Sequence, residues 1–473
     1  MHINSFRRTS PQPSVAIIGT GISGLSAAWL LAPHADVTVY ERASRIGGHS
    51  NTVDVDLPDG RAAVDTGFIV YNQDAYPNLT ALFRHLDVET CATNMSFAAS
   101  LNGGAMEYSG ASLGGLVAQK HNLLRPRFWL MLYDLQRFYR KAPTLAHDAD
   151  HRSRTLGEFI AAESYGAAFV EDHLLPLSAA IWSAKPADIL DYPVSAFVRF
   201  HENHGLLKFT GRPVWRTVSG GSRRYVEALS SEFANRIRLN ARLCAIRRTA
   251  GGVELVDEAG EVARHDHVIV ATHADQALSF LADPTPRERE LLSSFKYSRN
   301  ETWLHGDADL MPKRKSVWAS WNFIGGVEQN RAGERLVVSY WMNRLQKLAT
   351  RENLFVTLNP SREPRADLTY RIETYEHPIF NRRAIEAQRR LWSLQGNGGV
   401  WYCGSYFGSG FHEDGLQAGL AVAEELGRTE GLTGVCRPWQ VENESARICI
   451  AAPAAAPALT PAPATGVGAR DAA

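Results

Sequence analysis

Residues 15–52 read VAIIGTGISGLSAAWLLAPHADVTVYERASRIGGHSNT and carry the strongest structural signal in the chain. The apolar run Val15–Ile18 predicts a buried strand, which ends in the glycine-rich turn 19–24 and is followed by a helix-compatible run. A second apolar run, Val37–Tyr40, ends in Glu41, twenty residues beyond the second glycine of the turn. This order of strand, glycine turn, helix, strand and acid predicts a βαβ unit that binds a dinucleotide.

The residues of this unit have separate physical tasks. Gly19 permits the tight turn out of the strand, Gly21 lets the backbone approach a pyrophosphate, and Gly24 lets the helix pack close to the sheet. Ser23 belongs to the same turn, at a helix N-terminus whose free N–H groups and positive dipole end favour phosphates. Glu41 is expected to accept hydrogen bonds from the adenosine ribose hydroxyls and to repel a 2′-phosphate.

The loop after the second strand indicates which dinucleotide is bound. Residues 45–52, RIGGHSNT, resemble the RxGGRxxT motif of the flavin amine oxidase superfamily, which includes amine oxidases and carotenoid desaturases. The resemblance implies FAD, with Gly47 and Gly48 passing under its diphosphate and Arg45 neutralising phosphate charge. The sequence departs from the motif at His49, where a neutral imidazole offers fewer donors than a guanidinium.

Three later segments fit the order of the same superfamily, in which one FAD-binding domain is assembled from the start, the middle and the end of the chain. GRAAVDTG at 60–67 predicts a strand, RLNARLCAIR at 238–247 begins a strand and hairpin, and VWYCG at 400–404 predicts a strand that leads to a helix. The expected fold class is α/β. A Rossmann-type FAD-binding domain, like that of glutathione reductase and amine oxidases, is combined with an interleaved α+β substrate domain.

The expected domain limits follow from these segments. The FAD-binding domain takes residues 14–74, 214–282 and 397–430, and the substrate domain takes residues 75–213 and 283–396. Within the substrate domain, the apolar pattern predicts helices at 76–86, 127–141 and 155–164, and strands at 316–323 and 336–341. Residues 1–13 are expected to form a disordered tail, and the Ala/Pro-rich stretch 440–473 a mostly disordered one.

The resemblance also assigns cofactor contacts outside the motifs already described. These contacts are expected at Arg42, Thr66, Gly67, Leu243, Gly404, Asp414, Gly415 and Leu416. In the superfamily, the backbone at the position of Leu243 meets the adenine. The backbone N–H groups of Gly415 and Leu416 would stabilise negative charge at the N1/C2=O edge of the isoalloxazine.

His412 is the candidate catalytic residue. It lies two residues before Asp414, at the predicted flavin edge, where it is placed to relay a proton or to orient a polar substrate group. The alternative is a purely structural hydrogen bond, which is the commoner role of an isolated histidine. No metal site is indicated, because the five cysteines are scattered and form no CxxC pair.

Three segments narrow the resemblance to a bacterial subgroup of FAD-dependent oxidoreductases that are often encoded near cyclopropane-fatty-acid synthases. They are DTGFIVYN at 65–72, NMSF at 94–97 and FHEDG at 411–415. The subgroup implies oxidation or desaturation of an apolar, fatty acyl or lipid substrate by hydride transfer to flavin N5, and a partner similar to such a synthase. Three alternatives stay open: a flavin-dependent fatty acid double-bond isomerase, an amine oxidase, and a non-catalytic flavin-binding partner of a lipid methyltransferase.

Composition limits the partners and the location that are expected for this protein. The chain has 473 residues, 45% of them hydrophobic, and a formal net charge of +0, so no overall basic field indicates nucleic acid as a partner. No run approaches 18 apolar residues, and the N-terminal residues lack the apolar core of a signal peptide. A cytoplasmic location is therefore expected.

One further segment leaves two interpretations open. Residues 122–141, NLLRPRFWLMLYDLQRFYRK, mix aromatic and aliphatic side chains with five basic ones. Such a helix is able to lie on an anionic membrane surface and admit a lipid, which would place the protein peripherally at the inner face of the membrane. The other interpretation is an amphipathic helix that packs within the substrate domain.

Overall fold

The computed structural model describes residues 12–110, 112–145, 154–208, 210–325 and 337–441. Disorder is predicted for residues 1–13 and 440–473, of which residues 1–11 and 442–473 lie outside the described residues.

The described residues form strands with the following bounds: β1 (Ser14–Ile18), β2 (Asp36–Tyr40), β3 (Thr52–Leu57), β4 (Gly60–Asp65), β5 (Tyr71–Asn72), β6 (Thr90–Thr93), β7 (Phe97–Leu101), β8 (Met106–Ser109), β9 (Trp215–Val218), β10 (Ile237–Arg238), β11 (Leu243–Thr249), β12 (Gly252–Asp257), β13 (Val262–His265), β14 (His267–Val270), β15 (Lys296–His305), β16 (Trp321–Ile324), β17 (Val338–Trp341), β18 (Phe355–Leu358), β19 (Thr369–Ile379) and β20 (Val400–Tyr402).

The helices have these bounds: α1 (Ile22–Leu31), α2 (Pro77–His85), α3 (Leu113–Leu116), α4 (Pro126–Leu145), α5 (Leu156–Ala162), α6 (Ala167–Phe169), α7 (Leu175–Trp182), α8 (Pro186–Leu190), α9 (Val194–Asn203), α10 (Arg223–Ser230), α11 (Ala274–Phe280), α12 (Pro286–Leu292), α13 (Met342–Leu345), α14 (Arg382–Leu391) and α15 (His412–Thr429).

A five-stranded parallel sheet forms the centre of the first layer, in the order β10-β2-β1-β14-β20. Its strands therefore come from the start, the middle and the end of the chain. Continuous apolar runs such as Val15–Ile18 form these strands because both faces of the sheet are covered. The α/β class with a Rossmann-type unit is confirmed, and the domain limits stay a prediction.

A seven-stranded mixed sheet forms the second layer, in the order β19-β15-β18-β17-β16-β7-β8. Its strands come from two separate parts of the chain, 97–109 and 296–379, which meet where β16 pairs with β7 in parallel. Pairing between distant parts of the chain interleaves this sheet with the first one. Among the described residues, no helix is sufficiently long and apolar to cross a membrane.

The structure corrects one predicted strand. Residues 316–323 are expected to be extended throughout, but Lys315–Val317 form a 3₁₀ turn and β16 begins only at Trp321. Side chains take the backbone donors at this point: Ala319 N donates to Asn322 Oδ1 at 2.9 Å, and Ser320 N donates to Ser96 Oγ at 3.1 Å. These N–H groups are unavailable to a neighbouring strand, so the ladder starts later.

The first helix and the last long helix pack closely against each other. A Cβ atom at Gly419 of α15 would lie 2.2 Å from the carbonyl oxygen of Ser23 in α1, which is closer than any side chain allows. The N-terminus of α15 therefore lies beside the glycine turn, although some 390 residues separate the two in the chain.

Candidate functional site

One cavity of about 1170 Å³ extends from the carboxyl ends of the parallel strands to the seven-stranded sheet. Gly19, Glu41 and Gly404 line it just beyond the ends of β1, β2 and β20. Trp321 and Tyr340 line it on the second sheet. Ligands of open α/β sheets bind outside the carboxyl ends of the strands, so the first part of the cavity lies where a dinucleotide is expected.

The glycine turn has the geometry that a pyrophosphate requires. Gly19 has φ +104°, a backbone conformation that side chains disfavour, and a Cβ at Gly24 would lie 2.0 Å from the carbonyl oxygen of Gly19. A Cβ at Gly21 would meet no protein atom within 4 Å, and this residue lines the cavity. The space in front of Gly21 is therefore open to a ligand that approaches the backbone.

The paired glycines fold directly against this turn. Gly47 N donates to Thr20 O at 3.0 Å, and a Cβ at Gly48 would lie 3.0 Å from the Cα of Gly21. Arg45 lines the cavity beside them. A bulkier loop would close the space in front of the turn, so the two motifs together form one cradle for the phosphates.

Glu41 is held in place by its neighbours. Its carboxylate accepts hydrogen bonds from Thr20 N at 3.0 Å, from the Thr20 hydroxyl and from Ala43 N at 2.8 Å. An ionised carboxylate has about four lone-pair sites, so capacity remains for the ribose hydroxyls. These donors fix the orientation of Glu41 before a ligand arrives.

Most of the predicted cofactor residues line the cavity, and the others lie directly behind it. The lining includes Gly19, Gly21, Ser23, Glu41, Arg42, Arg45, Gly48, His49, Thr66, Gly67, Leu243 and Gly404. The residues behind it are Gly24, Gly47, Asp414, Gly415 and Leu416. Their direct contact with a cofactor stays a prediction.

The residues behind the lining shape the helix ends that face it. A Cβ at Gly415 would lie 2.9 Å from Ile22 Cγ2, so glycine allows the N-termini of α1 and α15 to approach each other. Asp414 Oδ2 accepts from Phe411 N at 2.9 Å and caps α15. Both contacts hold the start of α15 at the cavity, where its dipole favours negative charge.

His412 lines the cavity in a well-defined position. Its Nε2 lies 3.0 Å from Ser50 Oγ and 2.9 Å from Tyr225 OH, and its ring stacks on Phe68 with the ring centroids 3.7 Å apart. Burial lowers the pKa of His412 to about 3, so the imidazole is neutral at physiological pH. A catalytic role stays a prediction, since these contacts also satisfy a structural role.

His49, His273 and His377 form a group of neutral imidazoles that also lines the cavity. Of the three, only His49 was identified from the sequence. The ring of His49 lies 5.5 Å from that of His377 and 6.3 Å from that of His273, measured between centroids. Burial and mutual repulsion hold the pKa of His49 well below its usual value and lower that of His377 to about 4. His49, which stands where the motif has its second arginine, is therefore an uncharged ring that lies beside other neutral imidazoles.

The substrate end of the cavity is formed by one face of the seven-stranded sheet. Register pairs Trp321 with Tyr340 and Thr302 with Leu358, and all four line the cavity. The rings of Trp321 and Tyr340 pack edge to face, 5.3 Å apart. The aromatic alternation of these segments was visible in the sequence, but the face that it presents depends on strand register.

Other apolar side chains also line the cavity. They include Ile69, Val70, Ile181 and Trp182. The cavity thus joins a polar cradle that fits a dinucleotide to an aromatic and aliphatic chamber. Sites for small ligands are typically lined by hydrophobic and aromatic side chains with a small number of polar groups. Outside the cradle, the charged side chains in this lining are Arg299, Glu373 and Glu376.

Replacing Glu41 by glutamine is expected to weaken FAD binding about tenfold. The amide keeps the shape and can still accept from Thr20, but it loses the charge that strengthens hydrogen bonds from the ribose. Titration of the apoprotein with FAD measures the effect. Glu261→Ala, at an exposed turn, is the control and should bind FAD like the parent protein. An unchanged dissociation constant for Glu41→Gln would contradict the assignment.

The fold and the cavity define an α/β protein with a cradle that suits a dinucleotide and a second layer built on a seven-stranded sheet. Residues 22–300, more than half of the chain, match the family model for flavin containing amine oxidoreductase. The chain therefore belongs to this family, which implies FAD as the cofactor. The open space at Gly21, the paired glycines and the oriented carboxylate of Glu41 fit that cofactor.

Individual relatives agree with this family. The putative flavin-containing monoamine oxidase AofH of Mycobacterium tuberculosis (strain ATCC 25618 / H37Rv) is 27% identical over 289 residues, 57% of this chain. The match spans 59% of that relative's own length.

Solved structures share the fold. Cyclohexylamine oxidase from Brevibacterium oxydans IH-35A superposes with a TM-score of 0.63 at 15% identity, over 88% of this chain and 100% of the other. The CLA-producing fatty acid isomerase from P. acnes superposes with a TM-score of 0.61 at 15% identity, over 89% of this chain and 99% of the other. At these identities the likeness concerns the fold alone.

Proposed function

We propose that this protein is an FAD-dependent oxidoreductase that oxidises or desaturates an apolar substrate, a fatty acyl chain or related lipid. The observation that carries the proposal is the aromatic and aliphatic chamber joined to the dinucleotide cradle. Apolar side chains of this lining suit a hydrocarbon chain better than a charged one; they include Trp321, Tyr340, Leu358, Ile181 and Trp182.

Bound FAD supplies a two-electron acceptor that takes a hydride at N5. The substrate loses that hydride from one carbon and a proton from the next, and a double bond forms between the two carbons. The chain's own residues would orient the substrate and exclude water, and His412 is the candidate for orienting a polar group of the substrate or relaying a proton. Electrons then leave to oxygen or to another acceptor.

A second candidate function is a double-bond isomerase, in which the hydride returns to another carbon of the same substrate. The apolar chamber favours it equally, and the fold likeness to a fatty acid isomerase supports it. The family's amine oxidases suggest a third class of substrate. Glu373 and Glu376 also line the cavity and are the carboxylates that a substrate ammonium could pair with.

The test is anaerobic mixing of the FAD-loaded protein with phospholipids that carry unsaturated acyl chains. Bleaching of the flavin absorbance together with a new double bond supports the oxidoreductase. A shifted double bond without a consumed acceptor supports the isomerase instead. Bleaching by simple amines but by no lipid assigns the protein to the amine oxidases. Tight binding to a lipid methyltransferase without bleaching by any substrate indicates a non-catalytic partner, and both latter results overturn the proposal.

Replacing Trp321 by alanine is expected to lower kcat/KM for the lipid at least tenfold without changing the flavin content, because the chamber loses an aromatic wall. Trp341→Ala is a matched control. It also removes a half-buried tryptophan, but one that packs on the other side of the sheet, 5.5 Å from Trp318 between ring centroids. Equal losses in the two variants would mean that Trp321 acts through stability alone.

A further inference from the structure

Exposed apolar side chains are concentrated in one short part of the surface. Of the eleven large hydrophobic residues that are exposed among the described positions, seven lie within residues 113–133. We define the docking face as Leu123, Leu124, Trp129, Leu130 and Tyr133; Leu124 is 78% exposed and Trp129 53% exposed. Single exposed apolar residues need no explanation, but a contiguous group marks an interaction surface.

Most of the docking face lies on α4, and the opposite side of this helix is already buried in the core. Phe128 and Met131 of α4 are fully buried and pack with Leu101, Met106 and Tyr108 at the edge of the seven-stranded sheet. An ordinary packed helix presents polar side chains on its opposite side. Here that side carries tryptophan, leucine and tyrosine. The interpretation of this segment as a packed amphipathic helix therefore explains only the buried side of α4. It does not explain the exposed apolar side.

The docking face has a defined shape. Trp129 Nε1 donates to the carbonyl oxygen of Leu123 at 2.9 Å, which fastens the first turn of α4 to the turn before it. Leu123, Leu124 and Trp129 are therefore neighbours on one surface. Leu130 and Tyr133 continue that surface along the helix at the spacing of one turn.

The charge around the docking face is positive. Residues 112–141 contain six lysines and arginines and a single acid, Asp134, which pairs with Arg137. Arg127 pairs with Asp172 at 2.6 Å, and Lys141 pairs with Glu163.

Three of these cations have no carboxylate partner among the described residues: Lys120, Arg125 and Arg140. Arg127 is shared by Asp172 and Glu171, so one carboxylate is set against these three cations. The net charge beside the apolar side chains is therefore basic, and it complements an anionic surface.

We propose that the docking face attaches this protein peripherally to an anionic lipid bilayer, with Leu124, Trp129 and Leu130 inserted at the headgroup level and Lys120, Arg125 and Arg140 facing lipid phosphates. Tryptophan and tyrosine beside leucine, bordered by lysine and arginine, are the composition of interfacial helices. The inference needs only a lipid surface, so it stands or falls separately from the proposed oxidation.

Flotation of the FAD-loaded protein with vesicles tests this inference. The protein is expected to float with vesicles of phosphatidylcholine and phosphatidylglycerol, to float less with phosphatidylcholine alone, and to detach as salt is raised. The variant Leu124→Ser/Trp129→Ser/Leu130→Ser should lose at least tenfold in partitioning, because three exposed side chains no longer insert.

A matched control replaces three exposed apolar residues elsewhere, as Leu239→Ser/Val262→Ser/Ile372→Ser. Both triple variants should keep the flavin content and the Tm of the parent, since none of the six side chains is buried. Equal flotation of the two variants, or no flotation of the parent with anionic vesicles, overturns the proposal. Dimers of the parent that the docking-face variant abolishes, without vesicle binding, assign the face to a second copy and also overturn it.

Discussion

Replacing Gly24 by alanine is expected to destabilise the apoprotein by about 3 kcal/mol, whereas the same replacement at Gly21 should leave its stability unchanged and weaken FAD binding at least a hundredfold. At Gly24 the added Cβ would lie 2.0 Å from Gly19 O and 3.2 Å from the side chain of Ala271. Backbone atoms are the obstacle, so the helix must move away from the sheet, at the upper end of the usual cost of overpacking.

Gly21 presents the opposite situation. Its backbone has φ −65° and ψ 175°, which alanine adopts without strain, and no protein atom lies within 4 Å of the added Cβ. The methyl group would occupy the space in front of the turn, so we expect FAD affinity to fall at least a hundredfold while the apoprotein unfolds at the parent Tm.

Thermal unfolding of the apoproteins and titration with FAD separate the two effects. Gly251→Ala is the control, because this glycine lies at an exposed hairpin turn where a Cβ also meets nothing within 4 Å. It should change neither quantity. If Gly21→Ala binds FAD like the parent, the dinucleotide does not approach the turn; if Gly24→Ala is fully stable, the helix is not packed as described.

Acidification from pH 7 to pH 5 is expected to remove most of the stability of the apoprotein. Burial lowers the pKa of five histidines far below the ordinary value of 6.5: to about 4 for His173, His201, His305 and His377, and to about 3 for His412. In each case the unfolded chain binds a proton at a higher pH than the folded protein does.

The sign of the effect follows from these pKa values. The contribution of each histidine is complete above pH 6.5 and is lost as the pH falls from 6.5 towards 4, because only the unfolded state gains the proton. At pH 5 each group costs about 2 kcal/mol, and five such groups together approach the total stability of an ordinary domain. Asp65 has the opposite effect. Burial raises its pKa to about 6, so the folded protein binds this proton at a higher pH than the unfolded chain does, and acidification is stabilising at this one group.

The measurement is the Tm of the apoprotein across this pH range in a parent and two variants. His201→Leu should reduce the loss on acidification by about a fifth, because its ring lies among Trp182 and Phe197 and an apolar side chain suits that position. His121→Gln replaces an exposed histidine and should follow the parent. A Tm that is independent of pH between 7 and 5 would contradict these pKa values.

Local sequence was sufficient to predict a structural element wherever the interactions that form the element lie within a few residues of one another. The first βαβ unit, the paired glycines and the helix at 126–145 were all predictable, because turn geometry, capping and apolar period act over one or two elements. The same reasoning failed at residues 316–318. Two residues further on, the hydroxyl of Ser96, some 220 residues away in sequence, accepts a hydrogen bond from Ser320 N, a donor that the predicted strand needed.

The residues of the candidate site likewise divide into those that local sequence could predict and those that it could not. Glu41 and Gly21 were identifiable because their spacing from the first strand is itself the signal. His273 and His377 were not, because they join His49 only through the packing of two sheets. The contact of His412 with Ser50 and Tyr225 likewise unites three separate segments.

The amino-acid order alone therefore established the cofactor cradle and the α/β class, since a dinucleotide is bound by contiguous backbone at the end of one strand. The character of the substrate chamber and of the docking face emerged only from the folded chain. Strand register selects which aromatic side chains face the cavity, and the packing of α4 leaves Trp129 and Leu130 on the outside. Both depend on contacts between residues far apart in sequence, whose relative positions no local pattern specifies.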